Sequence, residues 1–286
     1  MFDVWRMISL VSGLLLMAAP SISQAQSPQR VMSLNMCTDQ LILNLLPASR
    51  ITSVTFLSHS SPNAALSALA AHVGINYGTA EEVLSQRPDL IVSGDTSTPT
   101  TRAILGHAGY ELHEVPSADN FEEIREITRK LGQVLGEEIR AEEMIVRMEA
   151  TLKELVETMP QKKIRVVAWD GGGFVPGRGL LFNEILSVAG GINIAAVDGN
   201  DYLVDFDLEE LLQARPDLIA YASATLKAPA LRTQALQHRI VRRFYEHRLI
   251  TYADNLYVCG LPQSAEAAKD LRAAMAMVME SLEVLQ

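Results

Sequence analysis

Several things are scarce in this 286-residue chain, and each scarcity removes a class of protein. Two cysteines are too few for a disulfide-rich scaffold or a four-cysteine zinc site. Basic residues are outnumbered, 24 Lys plus Arg against 34 Asp plus Glu, for a net charge of −10. A chain of that sign lacks the dense basic surface that nucleic acid demands. The apolar run Met7 to Ala19 is 13 residues long, short of the ~20 needed to cross a bilayer. G-x-S-x-G, H-E-x-x-H and C-x-x-C are all missing, so serine, metallo- and thiol-based catalysis have no positive support. What is present is 48% hydrophobic residues spread along the whole length, enough for a large core and, at this size, about two domains.

Residues 1–25 read as a cleavable signal peptide. Arg6 precedes the short apolar run, and Ser23-Gln24-Ala25 puts small residues at −3 and −1 of a cut after Ala25. Asp3 weakens the basic start, and an uncleaved anchor is the alternative. No cysteine follows the run closely enough to carry a lipid.

The remainder reads as two similar halves. EEVLSQRPDLI at Glu81–Ile91 recurs as EELLQARPDLI at Glu209–Ile219, identical at eight of eleven positions and offset by 128. Such self-similarity marks a duplicated fold unit. In each copy two glutamates open a short helix, where carboxylates suit the positive end of the helix dipole. Proline then excludes helix, and an apolar strand follows. Each half opens on a strand, Arg30–Leu34 or Ile164–Trp169, followed by a helix, Asp39–Leu46 or Leu180–Ala189. Further strands are expected at Ile51–Phe56, Glu111–Val115, Ile250–Tyr252 and Leu256–Val258. Alternating strands and helices imply α/β lobes with mainly parallel sheets. Phe121–Leu135 reads as the last helix of the first half. Glu137–Met159 reads as one long connecting helix with an apolar stripe of Ile139, Met144, Ile145, Met148, Leu152, Leu155 and Val156. The expected organisation is signal peptide 1–25, an N-terminal lobe 26–136, a connecting helix 137–160 and a C-terminal lobe 161–286. A helical connector implies limited lobe closure.

RVMSLNMCTDQLIL at the start of the first half, the paired E-E-x-L-x-x-R-P-D-L-I segments, and FVPGRGLLFNEILSVAGGINIA at 174–195 resemble the helical-linker class of periplasmic binding proteins. Within it the chain resembles the vitamin B12- and ferric-siderophore-binding receptors of ABC importers. The resemblance implies capture of an iron–siderophore, a related metal chelate or cobalamin between the lobes, with delivery to a permease dimer at the inner membrane. It implies a periplasmic monomer, no catalytic activity and no cofactor beyond the transported ligand. It also implies that Glu81 and Glu209, equivalent in the two repeats, dock the permease through arginines; the competing reading is a pair of plain helix N-terminal charges.

In such a fold the ligand cleft lies outside the C-terminal ends of the strands. That places Phe56, Tyr77, Phe174 and Tyr202 near it, with Trp169 at a strand end, as aromatic planes for a large flat ligand. Core packing is the competing reading for each. Arg178 is placed to pair with an anionic group or to make a structural salt bridge. His59 is a possible axial ligand to a chelated metal, and Asp95 sits in the loop after a strand. Cys37 and Cys259 both follow strands, in opposite lobes. A disulfide between them would lock the lobes together, so two free thiols or ligand contacts are the preferred reading. Asp170-Gly171-Gly172-Gly173 invites a nucleotide-loop reading, but Pro176 stands where the third glycine of G-x-G-x-x-G belongs. Two alternatives stay open. One is direct Zn or Mn capture, though the six histidines form no H-x-H or H-x-x-x-H pair. The other is a secreted enzyme using the cleft.

Overall fold

A computed structural model describes residues 27–94, 99–110, 112–197, 202–223 and 233–284. The expected signal peptide and Asp95 lie outside the described residues. The first lobe runs β1 (Val31–Ser33), α1 (Met36–Leu45), β2 (Ile51–Thr55), α2 (Phe56–His59), α3 (Ala64–Ala70), β3 (Gly74–Asn76), α4 (Ala80–Gln86), β4 (Leu90–Gly94), α5 (Pro99–His107) and β5 (Leu112–Val115). Helices α6 (Phe121–Leu135) and α7 (Glu138–Glu157) follow. The second lobe holds β6 (Ile164–Ala168), β7 (Phe174–Pro176), α8 (Leu181–Val188), β8 (Gly191–Asn193), β9 (Leu203–Asp205), α9 (Leu208–Ala214) and β10 (Leu218–Ala222). It ends with α10 (Thr233–Leu236), α11 (Arg239–Tyr245), β11 (Leu249–Tyr252), α12 (Asp254–Val258) and α13 (Ser264–Val284).

The first sheet has the order β3-β2-β1-β4-β5, all parallel. The second has β11-β10-β6-β8, also parallel. Read from the other edge, it repeats the β2-β1-β4-β5 portion of the first, as a duplicated unit requires. The antiparallel pair β7-β9 stands beside it.

The repeated sequence is a pair of matching joints. In the first copy the Thr79 hydroxyl accepts the Glu82 N–H, and the Glu82 carboxylate accepts the Thr79 and Tyr77 N–H groups. In the second, Asp207 and Glu210 form the same capping box. Both helices end on an arginine in the left-handed region, Arg87 at φ 48° and Arg215 at φ 46°. Their last carbonyls are taken by a guanidinium from the first strand of the same lobe. Arg30 donates to the Arg87 and Gln86 carbonyls, and Arg165 to those of Arg215 and Ala214. The aspartate of each Arg-Pro-Asp then accepts backbone N–H groups at the start of that strand: Gln29 and Arg30, just before β1, donate to Asp89, and Arg165 donates to Asp217. The motif thus welds the end of each short helix to the start of its central strand.

Helix α6 starts on the Asn120 side chain, which accepts the Glu123 N–H, and stops at Gly136, whose φ of 69° suits a residue without Cβ. Arg50 takes the helix-end carbonyl of Leu135 and pairs with Glu137 at 2.5 Å. The long helix α7 has 20 residues, ~30 Å at 1.5 Å per residue. Its buried line is Ala141, Met144, Ile145, Met148, Thr151 and Leu155. The expected stripe is corrected at both ends: Ile139 and Val156 are 80% and 62% exposed. Each falls off the 3.6-residue line that faces α6 and α13. The expected strand Leu256–Val258 is likewise corrected, being the end of α12; three apolar residues carry no periodicity that separates helix from strand.

One apolar core runs through both lobes. It takes in Val31 and Val92 from the first sheet, Ile124 and Leu131 from α6, Met144 and Met148 from α7, Leu271 and Met275 from α13, and Val166 and Ile250 from the second sheet. The outer face of each sheet has its own smaller cluster. Arg272 on α13 binds the α7 and α8 ends together by donating to the Leu155, Val188 and Ala189 carbonyls.

Candidate ligand-binding cleft

In the first sheet the winding direction reverses between β1 and β4, so their C-terminal ends flank a crevice. A cavity of about 510 Å³ occupies it, a volume within the range of small-molecule sites. Asn35, Thr55, Gly94 and Val115 line it from the ends of β1, β2, β4 and β5, and Val258, Cys259 and Gly260 close it from the second lobe. Among the described residues, none of those lining it carries a formal charge.

The floor of this cavity is a disulfide. Cys37 and Cys259 are bonded, with Cα atoms 5.0 Å apart across a sequence separation of 222. The expectation of free thiols is therefore corrected. That expectation treated the two loops as facing across an open gap, whereas the lobes are already in contact here. Asn255 of α12 donates to the Gln40 side chain at 2.7 Å and accepts from Asn63 at 3.4 Å, and Asn255 and Gln40 are both buried. Gly260 lies so close to the first lobe that a Cβ there would sit 2.5 Å from that of Ala118. The sulfur bridge seals an existing junction.

Asp39, fully buried on α1, shapes the wall above the floor. Its Oδ2 accepts the Thr55 N–H at 3.0 Å and the hydroxyls of Thr55 and Ser58 at 2.5 and 2.7 Å, which fixes the turn from β2 into α2. Its Oδ1 has no hydrogen-bond partner. Burial pushes its carboxyl above the ordinary value despite the hydrogen bonds from Thr55 and Ser58.

The turn held by Asp39 presents Phe56, whose ring stacks on Tyr77 at 5.1 Å with an interplanar angle of 21°. The two are 41% and 66% exposed, an uncovered aromatic platform on the first lobe. His59, at the end of α2, has a ring nitrogen 3.3 Å from the Gly74 carbonyl. On the second lobe Phe174 begins β7 and Tyr202 precedes β9, both exposed, with Arg178 in the exposed turn after β7. Of the expected site residues within the described range, only Cys37 and Cys259 line the floor cavity.

Trp169 is a correction. It is 2% exposed, and its indole N–H donates to the Phe206 carbonyl at 3.1 Å. Strand alternation explains the placement: Val167 and Trp169 share one face of β6 and pack with Leu211, Ile219 and Val241, while Val166 and Ala168 face the shared core.

Sequence reasoning missed a second cavity. About 200 Å³ in volume, it shares Val258 as a lining residue with the first and is walled by Leu181, Phe182, Leu203, Tyr252 and Tyr257. The three rings form a tilted cluster with centroids 4.6 to 5.8 Å apart. Tyr252 ends β11, so the rule that sites follow strand ends was pointing at it. The Pro116–Ala118 stretch, which lines the floor after β5, was missed in the same way. Arg50, Arg87 and Arg102 are structural: Arg50 covers α6, Arg87 caps α4, and Arg102 pairs with Glu114 at 2.7 Å. Within each Glu-Glu pair the second residue is held in its capping box, while Glu81 and Glu209 stand exposed at equivalent helix starts.

Comparison with known proteins agrees with this geometry. The family model described as "Periplasmic binding protein" matches residues 33–244. A cobalamin-binding protein of Halobacterium salinarum is 23% identical over 203 residues, 70% of this chain and 55% of that relative. The chain thus spans about half the length of that curated relative. An ABC transporter substrate-binding lipoprotein of Bacillus subtilis, YvrC, itself uncharacterised, is 25% identical over 201 residues, 67% of this chain and 63% of that protein. The solved structure of the periplasmic heme-binding protein RhuT from Roseiflexus sp. RS-1 superposes with a TM-score of 0.73 at 21% identity, covering 87% of this chain and 98% of that one. Two parallel α/β lobes joined by a long helix, with a cavity floored by both, are the helical-linker fold, and the chain belongs to the periplasmic binding protein family.

Proposed function

We propose that this chain is the extracytoplasmic receptor of an ABC importer that takes up a metal chelate, whether an iron–siderophore, heme or cobalamin, in the cleft between its lobes. The observation that carries this reading is the cavity of about 510 Å³ at the switch point, built from the ends of four strands of one lobe and closed by the other. The named ligands of the cobalamin-binding and heme-binding relatives support the same ligand class. Export through residues 1–25, with a cut after Ala25, delivers the protein to an oxidising compartment, which suits the Cys37–Cys259 disulfide. The lobes comprise residues 26–136 and 161–286, and the shared core and disulfide keep their relative motion small. Phe56, Tyr77, Phe174 and Tyr202 supply aromatic surface at the rim, with His59, Arg178 and Asp95 as polar contacts. Glu81 and Glu209 dock a permease dimer, to which the monomeric receptor hands its ligand without chemical change.

Native mass spectrometry of the mature protein against cobalamin, heme and ferric hydroxamate and catecholate siderophores tests this reading. Retention of one of these chelates is the expected result. Failure to retain any of them, with a divalent ion alone raising Tm, would overturn it.

A further inference from the structure

We propose that the outer flank of the second lobe, along α11, is a docking surface for the anionic headgroups of a phospholipid membrane. Such docking is independent of which chelate the cleft carries. Residues 238–248, HRIVRRFYEHR, hold four arginines, Arg239, Arg242, Arg243 and Arg248, against one acid, Glu246, in a chain whose net charge is −10. Arg239, Arg242 and Arg243 stand at i, i+3 and i+4, so they share one side of α11, and all three are exposed. Val241 and Tyr245 point the other way, into the apolar cluster on the outer face of the second sheet. Arg242 pairs with Glu246 at 3.3 Å. Among the described residues, Arg239 and Arg243 form no ion pair. The Arg243 guanidinium lies 5.8 Å from the centre of the Phe244 ring, which is 57% exposed.

The fold does not require these cations. The duplicated counterpart of α11 is α5, which likewise leads into the edge strand of its sheet, and it carries one arginine, Arg102, paired with Glu114. The joint arginines Arg30 and Arg165 recur in both lobes because each binds helix-end carbonyls, and the α11 arginines have no such partners in common. Like charges at i and i+4 destabilise the helix that bears them, a cost that a negative surface reverses. Arginine forks match phosphate geometry, and an exposed aromatic ring among basic residues is the composition of segments that lie at the headgroup level of a bilayer. A single exposed ring among spread charges favours a deformable headgroup layer over a folded acidic partner, which needs a larger continuous contact. Helix α11 covers a face of the sheet and none of its residues lines the cleft cavity, so a flank held on lipid leaves the cleft free.

Flotation of the mature chain with vesicles of phosphatidylcholine alone, and of phosphatidylcholine mixed with phosphatidylglycerol, tests this surface. Binding to the anionic vesicles only is expected, with marked weakening as salt rises to the physiological level. Arg239→Glu with Arg243→Glu is expected to weaken that binding at least tenfold, and Phe244→Ala severalfold. Lys130→Glu with Lys153→Glu makes the same charge change at exposed positions on α6 and α7 and is expected to weaken it less than twofold. No binding to anionic vesicles, or equal losses in the two double variants, would overturn the surface. Capture of polyglutamate with the vesicles ignored would overturn it in favour of an acidic protein partner. Chelate retention by the Arg239→Glu, Arg243→Glu variant is expected to match that of the native protein. A failed vesicle assay therefore leaves the import reading standing, and a failed chelate screen leaves the lipid surface standing.

Discussion

The disulfide makes the most demanding prediction, because its effect is calculable and its absence is easy to detect. Replacing Cys37 and Cys259 by serine frees a loop with a sequence separation of 222 in the unfolded chain. The loop-closure relation puts the ceiling of the loss at about 5 kcal/mol, and native disulfides commonly give about 2–5 kcal/mol. For a chain of this size each 1 kcal/mol moves Tm by about 2–4 °C, so the double variant is expected to melt roughly 5–15 °C lower. The folded state itself changes little, because Asn255 still holds Gln40 and Gly260 still packs on Ala118. Two measurements check this. Thiol titration of the unreduced protein in denaturant is expected to find no reactive thiol, and the melting shift should appear equally on reduction of the native protein and in the double variant. Two reactive thiols in the unreduced protein, or a shift under 2 °C on confirmed reduction, would refute the reasoning.

Three further outcomes follow from the same geometry. Burial raises the Asp39 carboxyl above its ordinary value of 3.8, so the folded state holds that proton more tightly than the unfolded state and stability falls as pH rises through the window above about 4. Asp39→Asn does not titrate; its Tm relative to the native protein is expected to climb between pH 4 and 7, and a flat or falling difference would contradict the assignment. Asp89 accepts two backbone N–H groups and Asp217 one. At about 1 kcal/mol per bond, Asp89→Ala is expected to destabilise more than Asp217→Ala in thermal melts, with the reverse order counting against the welded-joint account. The double charge reversal Glu81→Lys with Glu209→Lys is expected to abolish uptake in cells while leaving the affinity for the bound chelate within twofold; undiminished uptake would end the docking assignment.

The duplicated scaffold was legible because its signals are local. Helix α6 was expected over the same residues that the structure shows, Phe121–Leu135, since its helical pattern and the Gly136 that interrupts it lie within one short stretch. Both Arg-Pro-Asp joints were visible for the same reason, although their partners Arg30 and Arg165, 57 and 50 residues away from the carbonyls they bind, were not. Long-range pairing defeated the rest. No local signal decides whether Cys37 reaches Cys259, because the pairing rests on how α12 approaches α1. Trp169 was assigned to the cleft from its place at a strand end, but the face of β6 to which it belongs is set by the packing of α9 and α11 against the outer side of the sheet.

The two copies differ where function would need them to differ. The welded joints are near-identical in both lobes, so they hold the frame and carry no ligand information. After the central strand, the first copy continues as Asn35-Met36-Cys37, three residues that line the floor. The second copy has Asp170-Gly171-Gly172 at that point, just after the buried Trp169, and none of the three lines the cavity. Its contribution to the cleft comes from farther along, after β11, where Val258, Cys259 and Gly260 line the cavity. Because the same core and one covalent bond span the junction, the proposed site is shaped by fixed side chains more than by closure. A pre-shaped site gains affinity by having little left to order when the ligand arrives.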